Sequence, residues 1–538
     1  MIKILYSKSH TKFYNDTISF ENDLFTVETN GVFYGIDATR QGRLGEFLIS
    51  EYLKKGETFV ADLRGSFSII LFDKIKNKHL IYTNHIGDKR IFYYHSNNTL
   101  VISNKIQSIV SNGKENNIGF ALNHHAAYYL LTFGYMLHDV TLVQEIKRLK
   151  PGHYIIHENN SFQIKPYYTL NNKPNLTLTE SEAIEQIDLL FRNAIKLEYE
   201  KDLEYNLKHF CSLSGGLDSR MNTWVAHEMG YADVTNFTFS QSGYLDMTIS
   251  QQIATDLHHD WLFKTLDHGN FLLNLEEVMA INEGISTYSG QTHGKNAYDL
   301  VNFNNFGMFH SGMVGDVIIS SFLTSDDYGV PSFAKMSSGK LKHKLQPENL
   351  AEYSNQELFL MYNRGFNGAL TGHGPIQQYT EVASPFLDVD FMDFCLSLPL
   401  SMRKNHSLYK KWIIQKYPKA ANYIWENIGT TIKAKTINIR GKAVPWKKLP
   451  NFIYWGLQFN LGLVDITSTE SPNNMNPFDY WYKTNPIIPE FFNNYYNTNL
   501  KLVTDAELRK DCELLFTGTA VEKMQVLSLL AVLKLIWD

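Results

Sequence analysis

Short runs of β-branched and aromatic residues, separated by polar turns, fill roughly the first 165 positions. SFSIILFD (66–73), HLIYTN (79–84), RIFYYH (90–95) and TLVIS (99–103) read as strands. KIKNK (74–78) and SNN (96–98) read as the turns between them, and LKPGHYII (149–156) as a turn running into another strand. The pattern predicts antiparallel hairpins in a layered sheet. NNKPNLTLT (171–179), polar and carrying a proline, reads as a linker. After it the period changes. SEAIEQIDLLFRNAIKLEY (181–199) places apolar residues at helical spacing, with Thr179 or Ser181 as N-cap. The strand-like HFCSLS (209–214), VTNFTFS (234–240) and WLFKTL (261–266) then alternate with the helix-like MNTWVAHEMG (221–230) and MTISQQIATDLHH (247–259). Such alternation predicts a parallel sheet covered on both faces. Beyond about 350 the chain reads as mainly helical, and 445–500 is rich in aromatics and Asn with no function to assign. The whole divides into 1–170, 180–440 and 441–538.

Length and composition set bounds. The 538 residues exceed one core of ordinary size, and 44% hydrophobic with 20% charged is the balance of a folded globular protein. A net charge of −5 argues against nucleic acid or an acidic membrane surface as partner. VLSLLAVLKLIW (526–537) is too short to span a bilayer, so it reads as an amphipathic helix packed on the body. The start, MIKILYSKSH, carries no signal-like apolar stretch, and the expected location is cytoplasmic. Cys211, Cys395 and Cys512 are scattered, odd in number and unpaired by motif, which argues against a disulfide framework or a zinc site. His258–His259 and His124–His125 read as exposed helix-end histidines, because adjacent residues rarely ligate one ion.

The chemistry concentrates in CSLSGGLDSR. Ser214, Gly215, Gly216, Leu217, Asp218 and Ser219 lie between an apolar strand and a helical pattern, where outward N–H groups and a helix dipole favour an anion. The glycines let a phosphate approach the backbone. Asp218 would repel phosphate unless a cation bridged them, which points to Mg2+. The GK[ST] ending of another phosphate loop is missing. As spacing alone, the hexapeptide reads equally as a serine-capped glycine turn.

SGGLDS in this setting resembles the pyrophosphate loop of the adenylate-forming ATP pyrophosphatases, and its surroundings resemble the asparagine synthetase family. That family touches adenine from the end of its second strand, which implies Phe239, with a core phenylalanine as the alternative. Asp246 matches the aspartate opening the following helix. The family's SG.G.DE loop, which binds pyrophosphate and metal, is similar to Ser311-Gly312-Met313-Val314-Gly315-Asp316-Val317, and its E.R.PFLD to Glu381 through Asp388. The first domain resembles the family glutaminase in Leu63, Gly65, Phe67 and Asp73, in His85 through Tyr94, and in Ser103. The resemblance spans about residues 30–435. It implies an N-terminal-nucleophile-hydrolase-like αββα sandwich, followed by a parallel-sheet synthetase domain with a helical C-terminal extension.

The departures matter. The family glutaminase uses a cysteine at position two, and this chain begins Met1-Ile2-Lys3, a loss shared with β-lactam synthetase and lasso-peptide cyclases. Without a thiolate, the first domain is expected to be a relic or a docking module. Met313 stands where the family has a glutamate, and a thioether cannot move a proton. Val317 replaces a second glutamate. The resemblance then implies Glu381 as base, with a carboxylate bonding local backbone amides as the alternative, Asp218 and Asp316 as Mg2+ ligands, and Ser311 and Gly312 beside the phosphates. It also implies a lysine for departing pyrophosphate, Lys433 before Lys435, Lys410 or Lys411, with a solvated surface lysine as the alternative. Arg220 could approach a phosphate or lie on the helix surface. The resulting expectation is an ATP- and Mg2+-dependent, AMP-forming ligase. It joins a small-molecule or peptide carboxylate to ammonia or a substrate amine, and the family suggests a homodimer. The alternatives are a glutamine-hydrolysing asparagine synthase proper, or a non-catalytic nucleotide-binding scaffold.

Overall fold

A computed structural model describes residues 2–7, 12–36, 43–96, 99–439, 442–446, 449 and 469–538. Two sheets face each other in the N-terminal part. The larger, six-stranded and antiparallel throughout, has the order Ser161–Pro166, His153–Glu158, Lys78–Thr83, Gly65–Asp73, Phe25–Phe33 and Ser19–Glu21. The smaller has the order Ile2–Ile4, Thr99–Ser103, Phe92–Ser96 and Ile146–Arg148. Ile2–Ile4 runs parallel to Thr99–Ser103, a departure from the all-antiparallel expectation. Successive side chains on a strand point to opposite faces. Ile70 therefore packs with Tyr93, Leu100 and Ile102 of the second sheet, while Ile69 and Leu71 pack with Leu44 and Leu48 of the helix Arg43–Lys55. Helices Ile106–Glu115 and His124–Phe133 cover the outer face of the smaller sheet through Phe92 and Val101. The result is helix, sheet, sheet, helix.

Thr179 then opens a second unit with a capping box: its side chain accepts from the Glu182 N–H, and Glu182 accepts from the Thr179 N–H. The helix Glu180–Glu204 that follows leads into a five-stranded, wholly parallel sheet. Its order is Asp260–Thr265, Val234–Ser240, Lys208–Ser212, Phe306–His310 and Val382–Ala383. Alternation again sorts the faces: Cys211 goes to the core shared with Glu180–Glu204 and Asp218–Glu228, and Phe210 to an aromatic layer with Phe237, Tyr298 and Phe309. The strand order reverses between Lys208–Ser212 and Phe306–His310. Open sheets of this kind offer a crevice at that point, beyond the carboxyl ends of the strands.

Beyond residue 350 the expected helices are mostly short, and Met361–Gly368 is a π-helix. The last helix, Ala520–Trp537, corrects the amphipathic expectation, because it is buried on nearly all sides. It shares one core with Leu130 and Leu131 of the first sandwich, Val278 and Met279 of the second unit, and Ile488 and Leu508 of the C-terminal region. No helix among the described residues is long and apolar enough to cross a membrane.

Candidate active site

The strand Lys208–Ser212 and the helix Asp218–Glu228 meet at a bend tied onto itself. Ser214 Oγ lies 2.9 Å from Ser219 Oγ, the Ser214 N–H donates to Ser219 Oγ at 3.0 Å, and the Gly216 N–H donates to Ser214 Oγ at 3.2 Å. The Gly215 N–H donates to Asp246 Oδ1 at 2.7 Å. A Cβ on Gly215 would lie 2.9 Å from Glu426 Cβ, so the bend is pinned from outside as well. Burial pushes the Asp246 carboxyl up to about 6; the Gly215 N–H opposes that shift and the Glu426 charge adds to it.

The second loop leaves the neighbouring strand, Phe306–His310, and lies directly on the first. A Cβ on Gly312 would sit 2.3 Å from Ser219 N and 2.6 Å from Asp218 C, and one on Gly315 2.8 Å from Asp218 Cγ. Two backbones can approach this closely only through glycine. The Asp316 N–H donates to Asp218 Oδ2 at 2.8 Å, and the Tyr409 hydroxyl donates to Asp218 Oδ1 at 2.9 Å. Burial first, and the Asp316 charge second, hold the Asp218 carboxyl well above the usual carboxylate range. Asp316 stands beside Asp218, and the oxygens of two neighbouring carboxylates are the donors that a hard divalent cation such as Mg2+ takes; His406 Nε2 lies 4.0 Å from Asp316 Oδ2. Val314 carries a φ of +61°, a conformation that favours glycine and strains a β-branched residue.

Both loops line a cavity of about 420 Å³. Phe237, Phe239, Tyr298 and Met475 contribute its apolar lining. Phe239 stacks on His293 with ring centres 5.2 Å apart and planes at 14°, and His293 Nε2 meets Asn476 Oδ1 at 2.8 Å. The C-terminal region thus contributes to the lining. Ser311, Met313, Gly372 and His373 line the same cavity, and a Cβ on Gly372 would lie 3.1 Å from Met313 Cε. His373 Nε2 lies 2.9 Å from Ser311 Oγ, and burial pulls its imidazole down to about 4.

The structure therefore brings Ser214, Gly216, Leu217, Asp218, Ser219, Phe239, Ser311, Gly312 and Asp316 to one cavity, with Gly215 supporting the bend from behind. It does not bring Glu381 or Lys433 there. Glu381 is 1% exposed and forms an ion pair with Lys89 of the first sandwich, because the edge strand that follows it turns its side chain toward that interface. Lys433 is exposed and donates to Asn422 Oδ1 at 2.7 Å and to the Pro418 carbonyl at 3.3 Å. No lysine or arginine among the described residues lines the cavity. Arg220 is fully buried: it donates to the carbonyls of Gly215, Ala420, Tyr423 and Ile424, so it braces the loop rather than reaching a phosphate. His258 is exposed as expected, but His259 is buried between His227 Nδ1 and Asn236 Oδ1, each at 3.0 Å. All three cysteines are buried and free, with thiols pushed up to about 11 or 12 by burial. His293, His373, His406, Glu426 and Met475 carried no motif. Their nearest sequence signal is the polar residue between two glycines in Gly372-His373-Gly374.

Residues 42–168 match the glutamine amidotransferase domain family. The chain is 24% identical over 241 residues to an asparagine synthetase-type protein of Methanocaldococcus jannaschii, which covers 43% of this chain and 45% of that one. It is 28% identical over 233 residues to asparagine synthetase [glutamine-hydrolyzing] 2 of Bacillus subtilis, covering 40% and 29%. With the asparagine synthetase of Rattus norvegicus the identity is 22% over 422 residues, covering 71% and 65%. The matches span less than half of the archaeal and Bacillus relatives and about two thirds of the rat protein.

Proposed function

We propose that this protein of the asparagine synthetase family is an ATP-dependent ligase that adenylates a carboxylate and passes the acyl group to a nitrogen nucleophile. One observation carries the reading: two glycine-hinged loops, on adjacent strands of a parallel sheet, meet backbone to backbone with Asp218 and Asp316 side by side at the mouth of a cavity. A nucleotide fits that cavity with its base on Phe239 and its phosphates along Ser214–Ser219. The bend supplies backbone N–H groups and a helix N-terminus to the anion. Mg2+, held by Asp218 and Asp316, would neutralise phosphate charge. The substrate carboxylate attacks the α-phosphorus and pyrophosphate leaves. The nitrogen then displaces AMP. The protein contributes position and charge complementarity, with no covalent intermediate of its own.

The buried, poorly ionised cysteines favour free ammonia or a substrate amine over glutamine hydrolysis by this chain, and so favour this reading over a glutamine-hydrolysing synthase. The test is exchange of labelled pyrophosphate into ATP across a panel of amino acids, sugar acids and short peptides. One acid should support exchange, and Asp218→Ala should lower it by about 10²-fold or more. Exchange with no acid, or exchange indifferent to Asp218→Ala, removes the ligase reading.

A further inference from the structure

We infer that His373, through Ser311, is the general base that takes the proton from the attacking nitrogen; the inference rests on the ligase reading above. Acyl transfer to an amine or ammonia needs a proton acceptor in the cavity. Met313 cannot serve, and Glu381 is turned away into its pair with Lys89. The other proton acceptors around the cavity are engaged elsewhere. Asp218 and Asp316 belong to the phosphate loops, His406 Nε2 faces Asp316 Oδ2 at 4.0 Å, Asp246 holds the Gly215 N–H, His293 stacks on Phe239, and Glu426 receives the Tyr244 hydroxyl. His373 stands beside Met313 and Gly372, with Nε2 2.9 Å from Ser311 Oγ. Ser311 Oγ already accepts the Met313 N–H at 3.1 Å, which directs its own hydroxyl hydrogen toward Nε2.

The step balances without a further reactant. The nitrogen lone pair forms the C–N bond, the acyl C–O bond to phosphate breaks, and AMP leaves with that electron pair. The N–H proton passes to Ser311 Oγ as the hydroxyl proton of Ser311 passes to Nε2. An amine nitrogen becomes acidic as it attacks, so a weak base in a dry site suffices. Burial keeps the imidazole unprotonated and ready to accept. His373 also lines a small cavity of about 50 Å³ together with Ser66, Asn84 and Asp88 of the first sandwich and Glu198 of the long helix.

His373→Gln keeps a hydrogen-bonding group for Ser311 but cannot take the proton. With the acid selected by the exchange assay, this variant should hold pyrophosphate exchange within about threefold of wild type. It should lose about 10²-fold or more in AMP release driven by ammonium chloride. Hydroxylamine, a stronger nucleophile that is largely unprotonated at neutral pH, should restore most of the lost rate as hydroxamate. Ammonia-driven transfer at the wild-type rate overturns the inference and leaves the ligase reading standing. Equal loss of exchange and transfer, unrelieved by hydroxylamine, also overturns it, since that marks a structural role. Absence of exchange in the wild type overturns both.

Discussion

Gly312 is the residue on which the two loops depend. A Cβ there meets backbone atoms of Asp218 and Ser219, which cannot rotate away as a side chain can. Gly312→Ala should cost about 1–3 kcal/mol as an overpacked contact and part Asp316 from Asp218. Thermal unfolding should register the loss of stability, and acid-dependent pyrophosphate exchange should fall by at least tenfold. Gly339→Ala, exposed with nothing within 4 Å of the added carbon, should change neither and serves as the control. A Gly312→Ala protein that exchanges normally would mean the loops need not touch. At this scale the sequence was most legible where a side chain's position follows from strand order. Phe239 sits near the end of the strand Val234–Ser240 and Asp246 opens the helix that follows it, and both reach the cavity. It misled at Glu381, whose partner Lys89 comes from a loop of the first sandwich, and at Lys433, whose loop folds back onto Pro418 and Asn422. His373 was silent because its partner, Ser311, is distant in sequence and no local period links them.

The long helix Glu180–Glu204 and the two central strands are joined by buried charge that no motif announced. Asp202 accepts from His209 Nδ1 at 2.8 Å, from His310 Nε2 at 2.7 Å and from the Met308 N–H at 2.7 Å. The backbone presses close, for a Cβ on Gly307 would lie 2.0 Å from Asp202 Oδ1. Glu198, on the same helix face, lies 3.5 Å from His310 Nδ1. Burial alone would pull the His310 imidazole down, yet Asp202 and Glu198 raise it to about 9. A histidine whose folded value exceeds the unfolded 6.5 contributes stability that is complete below pH 6.5 and is lost as pH climbs to about 9. Urea unfolding at pH 6, 7.5 and 9 should therefore show stability declining across that window. His310→Gln should be less stable than wild type by about 3–5 kcal/mol at pH 6, because it leaves the buried Asp202 carboxylate short of a cation, and its decline should be flatter. Parallel pH profiles for the two proteins would show that His310 is not charged in the native state. The alternating strands and helices of this unit were legible as a pattern. The cluster was not, since its members are brought together only by the parallel register of His310 beside Cys211.

The largest unit of organisation is the contact between the sandwich and the parallel-sheet unit, and there the pair Lys89–Glu381 lies at a buried interface. Burial lowers the affinity of the Lys89 ammonium for its proton, but Glu381 and Asp88 more than offset that and keep it charged. Arg64 adds a surface pair to Asp390 at 2.7 Å, worth little by comparison because water screens it. Breaking a buried pair by removing one partner strands the other charge, so Lys89→Met and Glu381→Gln should each cost about 3–5 kcal/mol. The double variant strands neither, and should recover a large part of that loss, the signature of direct coupling in a double-mutant cycle. The same variants decide what Glu381 does in the reaction. As a base it would take acyl transfer down by about 10²–10⁴-fold on removal, beyond any loss of folded protein. As an interdomain tie it should change transfer only in proportion to the folded fraction, with Lys89→Met matching Glu381→Gln in both stability and rate. A Glu381→Gln protein that is stable yet unable to transfer would return Glu381 to the catalytic cavity and displace His373 from the role assigned to it.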